Sequence, residues 1–519
     1  MDIALIAEGT YPFHPGGVAV WCDQLVRGLA PHTFELFAIS SGMEQTTWDL
    51  PDNVRGMVTI PLWGPEPQQR VSRADRSFAP AFERFVSAML EPQGSQRFID
   101  ALREMYHYAQ RGELGARLRS EACVEILLAS ISGSVPQGRF AAASPERATV
   151  ADAISALYLL EHYLRPLSAP PARADLCHAA ANGLGTLNAL AARWEHNTPF
   201  LLTEHGLYLR ERYLAFQAGT YSHAVRSVLL RFFKQLTWAA YEIATIIAPG
   251  SEYNRQWEEA NGAEPARIRP IHNGVDIDSF PPAGEEPQVP TLTWVGRIDP
   301  LKDVETLLLA FAEVRKQLPT ARLRIFGPTP LGNEAYAKRC LRLHTELGLG
   351  DSAVFEGIVP SVVTAYHAGQ VVVMTSISEG FPYVLIEAMA AGRPIVATGV
   401  GGCPEAVGDA GLVVPPRNPA AIAKACVRLL SNVSEREAMG HAAHRRILSR
   451  FTVEKCLALY SDLYREVTCL PVSAPVIRLE QDRHNTDDDS GLEAAVAPAG
   501  VTRTRSVPRP VFGWNLGVM

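Results

Sequence analysis

The sequence predicts an α/β protein built from two Rossmann-like domains that face each other across a cleft. Short apolar runs typical of buried parallel strands recur along the chain, separated by helical or irregular segments. The alternation restarts after a turn-rich stretch near Pro281, and 519 residues are too many for one ordinary core. In such a pair of domains, the carboxyl ends of both sheets can contact one ligand.

Residues 1–280 are predicted to form the N-terminal domain, which binds the acceptor if the protein is an enzyme of this architecture. Its strand-like runs are IALIA, FELFAIS, DLCHA, PFLLTEH and TIIAPGS. Between about residues 64 and 171 the pattern changes to long amphipathic segments such as FAPAFERFVSAMLE and VADAISALYLLEHYL. This change indicates a helical insertion in the first domain.

Residues 281–450 are predicted to form a second domain of the same kind. Its strand-like runs are TLTWVG, ARLRIFG, AVFEG, VVVMTS, PIVAT and GLVVP, and helical segments lie between them. A helix over residues 451–470 is expected to cross back to the first domain. Residues 471–519 are rich in Pro, Gly, Asp and Arg and are predicted to be disordered.

Composition excludes several classes of function. A formal net charge of −7 and a pI near 6.1 give no general attraction to nucleic acid or anionic lipid. The eight cysteines show no C-x-x-C or zinc-ligand spacing, so they are expected to be reduced and mostly buried. No signal peptide or membrane span is indicated. We therefore expect a cytoplasmic protein, with attachment to the inner face of a membrane through partner subunits left open.

A glycine pair, Gly16 and Gly17, lies in a loop between the first predicted strand and the first predicted helix. The pair can simply permit a tight turn. Alternatively, backbone N–H groups in such a loop can approach a phosphate at the positive end of the helix dipole. The dinucleotide fingerprint G-x-G-x-x-G is absent. Taken alone, the pair favours the turn.

The strongest chemical signal is the segment SEGFPYVLIEAMAAGRPIVAT, in which Glu379 and Glu387 are eight positions apart. A strand ending near Ser376 delivers Glu379 into a loop at the cleft, and Pro382 suits the first turn of the next helix. Glu387 lies within that helix among apolar neighbours. It is either a solvated helix residue or a buried carboxylate whose partner is a ribose diol.

In VGRIDPLKDVETLL, Arg297 follows a strand and Lys302 precedes a helix whose predicted N-cap is Asp303. Two cations beside a helix start suit a diphosphate, because Arg forks two oxygens and Lys adds a mobile charge. The alternative for these cations is a surface ion pair with Asp299 or Asp303.

In LLTEHGLYLRER, Glu204 and His205 stand at the end of a strand, where open α/β sheets bind ligands. A single histidine is more often structural than catalytic, but this position and the polar neighbours Arg210, Glu211 and Arg212 leave the structural and the functional role equally open. Asp276 and Asp278 form a D-x-D of the kind that holds a metal with a nucleotide diphosphate. Because they occupy a turn leading out of the first domain, a structural role is favoured, and no other set has metal-ligand spacing.

Together these segments resemble the retaining GT-B glycosyltransferases of family 4 over almost the whole chain. Glu379 and Glu387 match the E-x7-E element of that family, VGRIDPLKD its phosphate-clamping segment, and NGVD its exit from the N-terminal domain. EGTYPFHPGGVAVW, TEHGLYLRER and the helical insertion resemble more specifically the cytosolic glycosyltransferases of Pel exopolysaccharide synthesis.

The resemblance implies that residues 1–280 form the acceptor domain and residues 281–450 the nucleotide-sugar domain. It also implies a role for each matching residue. Gly16 and Gly17 would cradle the donor diphosphate from the N-terminal side, and Arg297 and Lys302 would neutralise it from the other side. Glu387 would hold the ribose.

The remaining roles concern the base and the sugar of the donor. Backbone around Ile358 and Val359 would contact the uracil. Glu379, with the N–H groups of Gly380 and Phe381, would hold the sugar hydroxyls. His205 would contact the sugar near its anomeric carbon.

The implied reaction transfers a sugar, with retention of configuration, from a nucleotide sugar to a growing polysaccharide or glycan. The donor is expected to be UDP-glucose or a UDP-N-acetylhexosamine, without a metal or other cofactor. Expected partners are the donor, the acceptor and membrane-bound polysaccharide synthase subunits, and no nucleic acid. An NAD-dependent oxidoreductase, a nucleotide-sugar epimerase of GT-B shape and a non-catalytic nucleotide-sugar-binding subunit are the alternatives.

Overall fold

The computed structural model describes residues 1–42, 45–64, 77–133, 148–217 and 221–470. The tail predicted to be disordered, 471–519, lies outside them. Within these ranges the chain forms two parallel six-stranded sheets, which confirms the predicted fold class. The strands of the first sheet are β1 (Asp2–Glu8), β2 (Thr33–Ser40), β3 (Val54–Pro61), β4 (Leu176–Ala179), β5 (Phe200–Glu204) and β6 (Ile246–Pro249).

The second sheet repeats the topology of the first. Its strands are β7 (Thr291–Val295), β8 (Arg322–Phe326), β9 (Ala353–Gly357), β10 (Val371–Met374), β11 (Ile395–Thr398) and β12 (Gly411–Val414). The spatial orders are β3-β2-β1-β4-β5-β6 and β12-β11-β10-β7-β8-β9. Each order reverses direction once, between β1 and β4 and between β7 and β10, and ligands of open α/β sheets bind at such points.

Helices cover both sheets. Those of the first domain are α1 (Gly17–Gly28), α2 (Phe78–Met89), α3 (Gln96–Gln110), α4 (Leu114–Leu118), α5 (Glu121–Gly133), α6 (Val150–Leu164), α7 (Gly185–His196), α8 (Tyr208–Gln217), α9 (His223–Ile243) and α10 (Glu252–Ala260). Those that follow are α11 (Val304–Gln317), α12 (Glu334–Glu346), α13 (Val362–His367), α14 (Tyr383–Ala390), α15 (Cys403–Val407), α16 (Pro419–Ser431), α17 (Val433–Arg450) and α18 (Val453–Cys469).

Every strand predicted from an apolar run is present, but β3 was not predicted. Seven of its eight residues are exposed or only partly buried, and its sequence VRGMVTIP includes Arg55 and Gly56. A strand at the edge of a sheet needs fewer apolar residues than a central strand. The search for continuous apolar runs therefore missed it.

The predicted insertion is helical and consists of α2 to α6 in the described residues. Its aromatic side chains join the core of the first domain. Phe85 of α2 stacks on Phe98 of α3, and Phe98 meets Phe232 of α9 edge to face. The insertion is thus an extra layer on α9 rather than an independent domain.

Helix α18 crosses back from the second domain and packs on the first. Tyr464 Oη lies 2.8 Å from His178 Nδ1, and Tyr460 Oη lies 3.1 Å from Thr203 Oγ1. Burial lowers the pKa of His178 to about 3, so its ring is neutral and needs a partner at each nitrogen. Thr203 supplies the second partner, 2.8 Å from Nε2.

All eight cysteines lie in the described residues and none forms a disulfide. Seven of them are buried, as expected, and Cys469 is exposed. Across the described ranges, every helix is too short or too polar to cross a membrane.

Tyr464→Phe should destabilise the protein by about 1–3 kcal/mol, because it leaves a buried ring nitrogen of His178 without a partner. The effect is measured as a lower midpoint of thermal unfolding. Tyr213→Phe is the control, since the Tyr213 side chain is 43% exposed. Equal midpoints for both variants would show that the Tyr464–His178 contact does not hold α18 in place.

Candidate active site

Polar side chains from both domains collect at the cleft between the carboxyl ends of the two sheets. The first domain contributes the loop after β1 and the turn after β5. The second contributes the loops after β7 and β10, which are neighbours in its sheet. Parallel strands end at one edge, so residues distant in sequence meet there.

The two domains meet backbone to backbone at this cleft. A Cβ placed on Gly380 would lie 1.9 Å from the carbonyl oxygen of His205, a distance that real side chains do not reach. Nearby, the Asn273 amide donates to the Phe381 carbonyl at 2.9 Å. The position of Gly380 in the loop after β10 is therefore set by the turn after β5.

His205 occupies a partly buried position in that turn. Its ring meets Trp21 edge to face, with centroids 4.5 Å apart. Nε2 is buried and has no hydrogen-bond partner among the described residues. Burial lowers the pKa of His205 to about 4, against an opposing effect of the Asn273 side chain. The imidazole is thus neutral at physiological pH.

Lys302 and Glu379 form an ion pair, with Nζ and Oε1 2.5 Å apart. Their side chains are 22% and 10% exposed. The pair is held by backbone: Thr375 Oγ1 donates to the Lys302 carbonyl at 2.8 Å, and the Ile377 N–H to the Leu301 carbonyl at 2.8 Å. The loop after β10 is thereby fastened to the turn that precedes α11.

Lys302 does not form the alternative ion pair with Asp299 or Asp303. Asp299 instead accepts from the Leu301 N–H at 2.8 Å. Asp303 is the predicted N-cap of α11 and accepts from the Thr306 N–H at 3.2 Å. Both aspartates therefore shape the turn and leave Lys302 to Glu379.

Arg297 follows β7 and is exposed to the cleft. Within the described part of the chain it has no hydrogen bond or ion pair. Burial raises the pKa of Glu211, a residue of α8 in the other domain, and the positive charge of Arg297 opposes that rise. Arg297 therefore leaves its guanidinium available to an anion in the cleft.

Glu387 lies in α14 and accepts a hydrogen bond of 2.5 Å from the hydroxyl of Tyr366, which is fully buried. Burial raises the pKa of Glu387, and the Tyr366 bond opposes that rise. Glu387 is therefore not the solvated helix residue of the alternative interpretation. Pro382, expected in the first helical turn, is the N-cap one residue before α14.

The remaining predicted residues lie further apart. Gly16 is the N-cap of α1 and no side chain caps this helix end. A Cβ on Gly17 would lie 3.3 Å from the Tyr383 ring, so the glycine pair faces the start of α14. Ile358 is 77% exposed and follows β9 with Val359, at the edge of the second sheet.

Asp276 and Asp278 form a local turn. Asp276 accepts from the Asp278 N–H at 3.1 Å and from the Ser279 hydroxyl at 2.5 Å. These bonds support the structural role that the sequence favoured. Among the described residues, no group of three or more His, Cys, Asp or Glu side chains could hold a metal ion.

Sequence reasoning missed several residues of the cleft. Tyr366 and Asn273 act as partners of predicted residues. Tyr366 carries no motif, whereas Asn273 begins NGVD, which was interpreted only as the exit from the first domain. Glu8, at the end of β1, accepts from the Tyr208 hydroxyl and the Leu184 N–H, both at 2.7 Å. Its place at the end of a strand was a usable signal for a residue at the cleft.

Residues 1–266, just over half of the 519-residue chain, match the family described as "Domain of unknown function (DUF3492)". The chain belongs to the DUF3492 family. Residues 289–432 of this DUF3492 protein match the family described as "Glycosyl transferases group 1". Its second domain is accordingly a group 1 glycosyltransferase domain of the GT-B type.

Curated relatives match part of the DUF3492 protein. It is 35% identical over 224 residues to a D-inositol 3-phosphate glycosyltransferase of Streptomyces bingchenggensis, covering 40% of this chain and 49% of the relative. A protein of the same name from Corynebacterium urealyticum is 33% identical over 241 residues, covering 43% and 56%. The chain thus spans about half the length of the curated relatives it matches.

Solved structures share the fold over nearly the whole length. Sucrose-phosphate synthase from Thermosynechococcus elongatus aligns with a TM-score of 0.59 and 22% identity, covering 90% of this chain and 98% of that one. HepE from Anabaena, in complex with UDP and glucose, aligns with a TM-score of 0.57 and 16% identity, covering 89% and 99%. At these identities the likeness shows the GT-B fold.

Gly380→Ala should force the loop after β10 away from His205, because the new Cβ would lie 1.9 Å from a carbonyl oxygen. We expect a loss of about 1–3 kcal/mol in stability and a wider cleft. Thermal unfolding and small-angle scattering measure these effects. Gly284→Ala is the control, since a Cβ there meets nothing within 4 Å. An unchanged midpoint and radius of gyration would contradict the close contact.

Proposed function

We propose that this DUF3492 protein is a retaining, metal-independent glycosyltransferase that moves a hexose from a UDP-sugar to a glycan acceptor. The observation that carries the proposal is the meeting of His205 with the loop from Glu379 to Phe381 at the edges of both sheets. A sugar in this cleft would lie between a neutral imidazole and a carboxylate. Such a pair can position hydroxyl groups and stabilise positive charge near an anomeric carbon.

The donor diphosphate is assigned to the cations at the switch point of the second sheet. Lys302 exchanges Glu379 for a phosphate oxygen, which frees the carboxylate for sugar hydroxyls. Arg297 supplies a second charge from the end of β7. The exposed N–H groups of Gly16 and Gly17, at the uncapped start of α1, approach the phosphates from the other side.

The nucleoside is assigned to the second domain. Glu387 accepts hydrogen bonds from the ribose while Tyr366 keeps it oriented. Ile358 and Val359 receive the base at the end of β9, three strand positions from β10. At about 4.8 Å per strand, this separation is about 14 Å, which suits an extended nucleotide sugar lying across the sheet.

The proposed chemistry breaks the bond between the anomeric carbon and the diphosphate oxygen, and forms one to the acceptor oxygen on the same face. The leaving phosphate takes the acceptor proton. Arg297, Lys302 and the N-terminus of α1 balance the charge that grows on the leaving group, so no metal ion is required. His205 contributes a hydrogen bond without changing protonation, because burial keeps its pKa near 4.

We place the reaction in exopolysaccharide biosynthesis on the resemblance to PelF, the cytosolic glycosyltransferase of the Pel system. UDP is the preferred nucleotide because the Anabaena HepE structures contain UDP, UDP with glucose, or UDP-glucose. The acceptor is a growing polysaccharide or glycan, and membrane-bound synthase subunits are proposed partners of a cytoplasmic protein.

UDP-glucose or a UDP-N-acetylhexosamine should raise the thermal midpoint and be turned over in the presence of EDTA. GDP- and ADP-sugars, tested in parallel, should do neither. Stabilisation by GDP-mannose or ADP-glucose without UDP-sugars would overturn the donor assignment. Activity lost in EDTA and restored by Mg²⁺ would overturn metal independence. Conversion of the donor sugar without any acceptor would indicate an epimerase.

Glu379→Gln and Glu387→Gln should impair the enzyme in different ways. Glu379 acts on the reacting sugar, so its loss should lower kcat about 100-fold with UDP affinity nearly intact. Glu387 binds ribose in ground and transition states alike, so its loss should raise KM about tenfold.

Steady-state kinetics and calorimetry with UDP separate these two effects. Glu313→Gln is the matched control, because Glu313 is 46% exposed on α11 and pairs with Lys316. If both cleft variants change KM alone, or if Glu379→Gln abolishes UDP binding, the two roles are assigned wrongly.

A further inference from the structure

Two buried carboxyl groups lie directly behind His205. Glu204 is the last residue of β5 and immediately precedes His205 in the chain. Glu258 belongs to α10, and its carboxyl faces that of Glu204. The residues are 1% and 0% exposed. Neither has a part in the proposed reaction, so their presence beneath the cleft needs another explanation.

The two carboxyls differ in their partners. Glu204 accepts from the Tyr241 hydroxyl at 2.8 Å and from the Tyr208 N–H at 3.3 Å. Neither oxygen of Glu258 meets an N–H or O–H donor in the described parts of the chain. The Glu204 carboxyl acts on this group, and its negative charge raises the pKa of Glu258. Two carboxylates can form a hydrogen bond with each other only if one of them carries a proton.

Helix α10 also holds the backbone of the turn. The Asn254 amide donates to the Glu204 carbonyl at 3.0 Å and to the His205 carbonyl at 3.3 Å. Asn254 lies one helical turn before Glu258, so both side chains project from the same face of α10. The carbonyl of His205 is the atom on which Gly380 packs. Helix α10 thus contacts this turn through the backbone carbonyls of Glu204 and His205 and through the Glu204 side chain.

We propose that Glu258 is a positioning residue that shares one proton with Glu204, and that this bond fixes the turn presenting His205 to the cleft. When the pair loses the proton, two buried negative charges repel each other and the turn separates from α10. The catalytic consequence rests on the proposed function, whereas the shared proton does not depend on it.

The surroundings of the pair favour retention of the proton. Burial raises the pKa of both carboxyls, and the charge of Glu204 adds to the rise at Glu258. The charge of Glu211 of α8 raises the pKa of Glu204 further, and that of Glu259 of α10 raises the pKa of Glu258. The hydroxyl of Tyr241 of α9 donates to Glu204 and acts in the opposite direction, and none of these three groups is a cation.

The sign of the pH effect follows from these raised values. A carboxyl whose folded pKa exceeds its unfolded value binds more protons in the folded state above about pH 4. Its contribution to stability is complete below the unfolded pKa and is lost as pH rises toward the folded pKa. The wild-type protein should therefore lose stability through neutral and mildly alkaline pH because of this pair.

Glu258→Gln tests the shared proton, because glutamine offers an N–H donor to Glu204 at every pH. Thermal midpoints are measured between about pH 5 and about pH 9. The midpoint of Glu258→Gln relative to wild type should rise steadily with pH. Glu252→Gln is the matched control, since Glu252 lies on the same helix, is 54% exposed and pairs with Arg255; it should follow the wild type. Parallel curves for wild type and Glu258→Gln would overturn the proposal.

The positioning role has a readout that needs no catalysis. Hydrogen–deuterium exchange in a peptide spanning residues 200–208 should be faster in Glu258→Ala than in wild type, and Glu258→Gln should restore slow exchange. Glu252→Ala should leave this peptide unchanged. Equal exchange in Glu258→Ala and wild type would show that the pair does not hold the turn.

Kinetics separate this proposal from the proposed function. With a UDP-sugar as donor, Glu258→Ala should lower kcat about tenfold or more with little change in KM, and Glu258→Gln should move the alkaline decline of kcat to higher pH. An unshifted pH profile in Glu258→Gln would overturn the catalytic consequence. If the wild type turns over no nucleotide sugar, the proposed function fails, while the midpoints and exchange rates still decide whether the pair shares a proton and holds the turn.

Discussion

The carbonyl oxygen of His205 and the backbone of Gly380 approach each other so closely that no side chain fits between them. Within the second domain, Gly401 packs equally closely on the same loop, since a Cβ there would lie 1.8 Å from the Glu379 carbonyl oxygen. Glycine at position 380 lets backbone from both domains pack directly at the cleft. This contact sets the distance between the two sheet edges and hence between the imidazole of one domain and the Lys302–Glu379 pair of the other.

The electrostatics of the cleft depend on that distance. Charges withdrawn from water are costly unless they are paired, and in the absence of a substrate Lys302 and Glu379 satisfy each other. His205 avoids the cost by remaining neutral, and Glu387 reduces it through the Tyr366 hydroxyl. Behind them, Glu204 and Glu258 are tolerated if they hold one proton together. The side chains of the cleft are therefore already in place, and the nucleotide sugar of the proposed function would replace one ion pair rather than assemble the groups.

The sequence predicted the architecture because central parallel strands are continuous apolar runs, and it missed β3 because an edge strand is not. It also identified Glu379, Lys302 and His205, since each follows a strand whose end lies at the cleft. Pairing between them was not predictable, because which carboxylate reaches Lys302 depends on the packing of the loop after β10. Glu258 could not be predicted from the sequence either, because EYNRQWEEA contains three glutamates and their spacing does not tell which one is buried.

A crystal structure of the protein with UDP bound is the decisive test of the proposed site. We expect the diphosphate between the Gly16–Gly17 loop and Lys302, the ribose on Glu387, and a distance between Lys302 and Glu379 longer than 2.5 Å. UDP bound elsewhere, with that ion pair intact and His205 remote from the nucleotide, would show that the site is assigned wrongly.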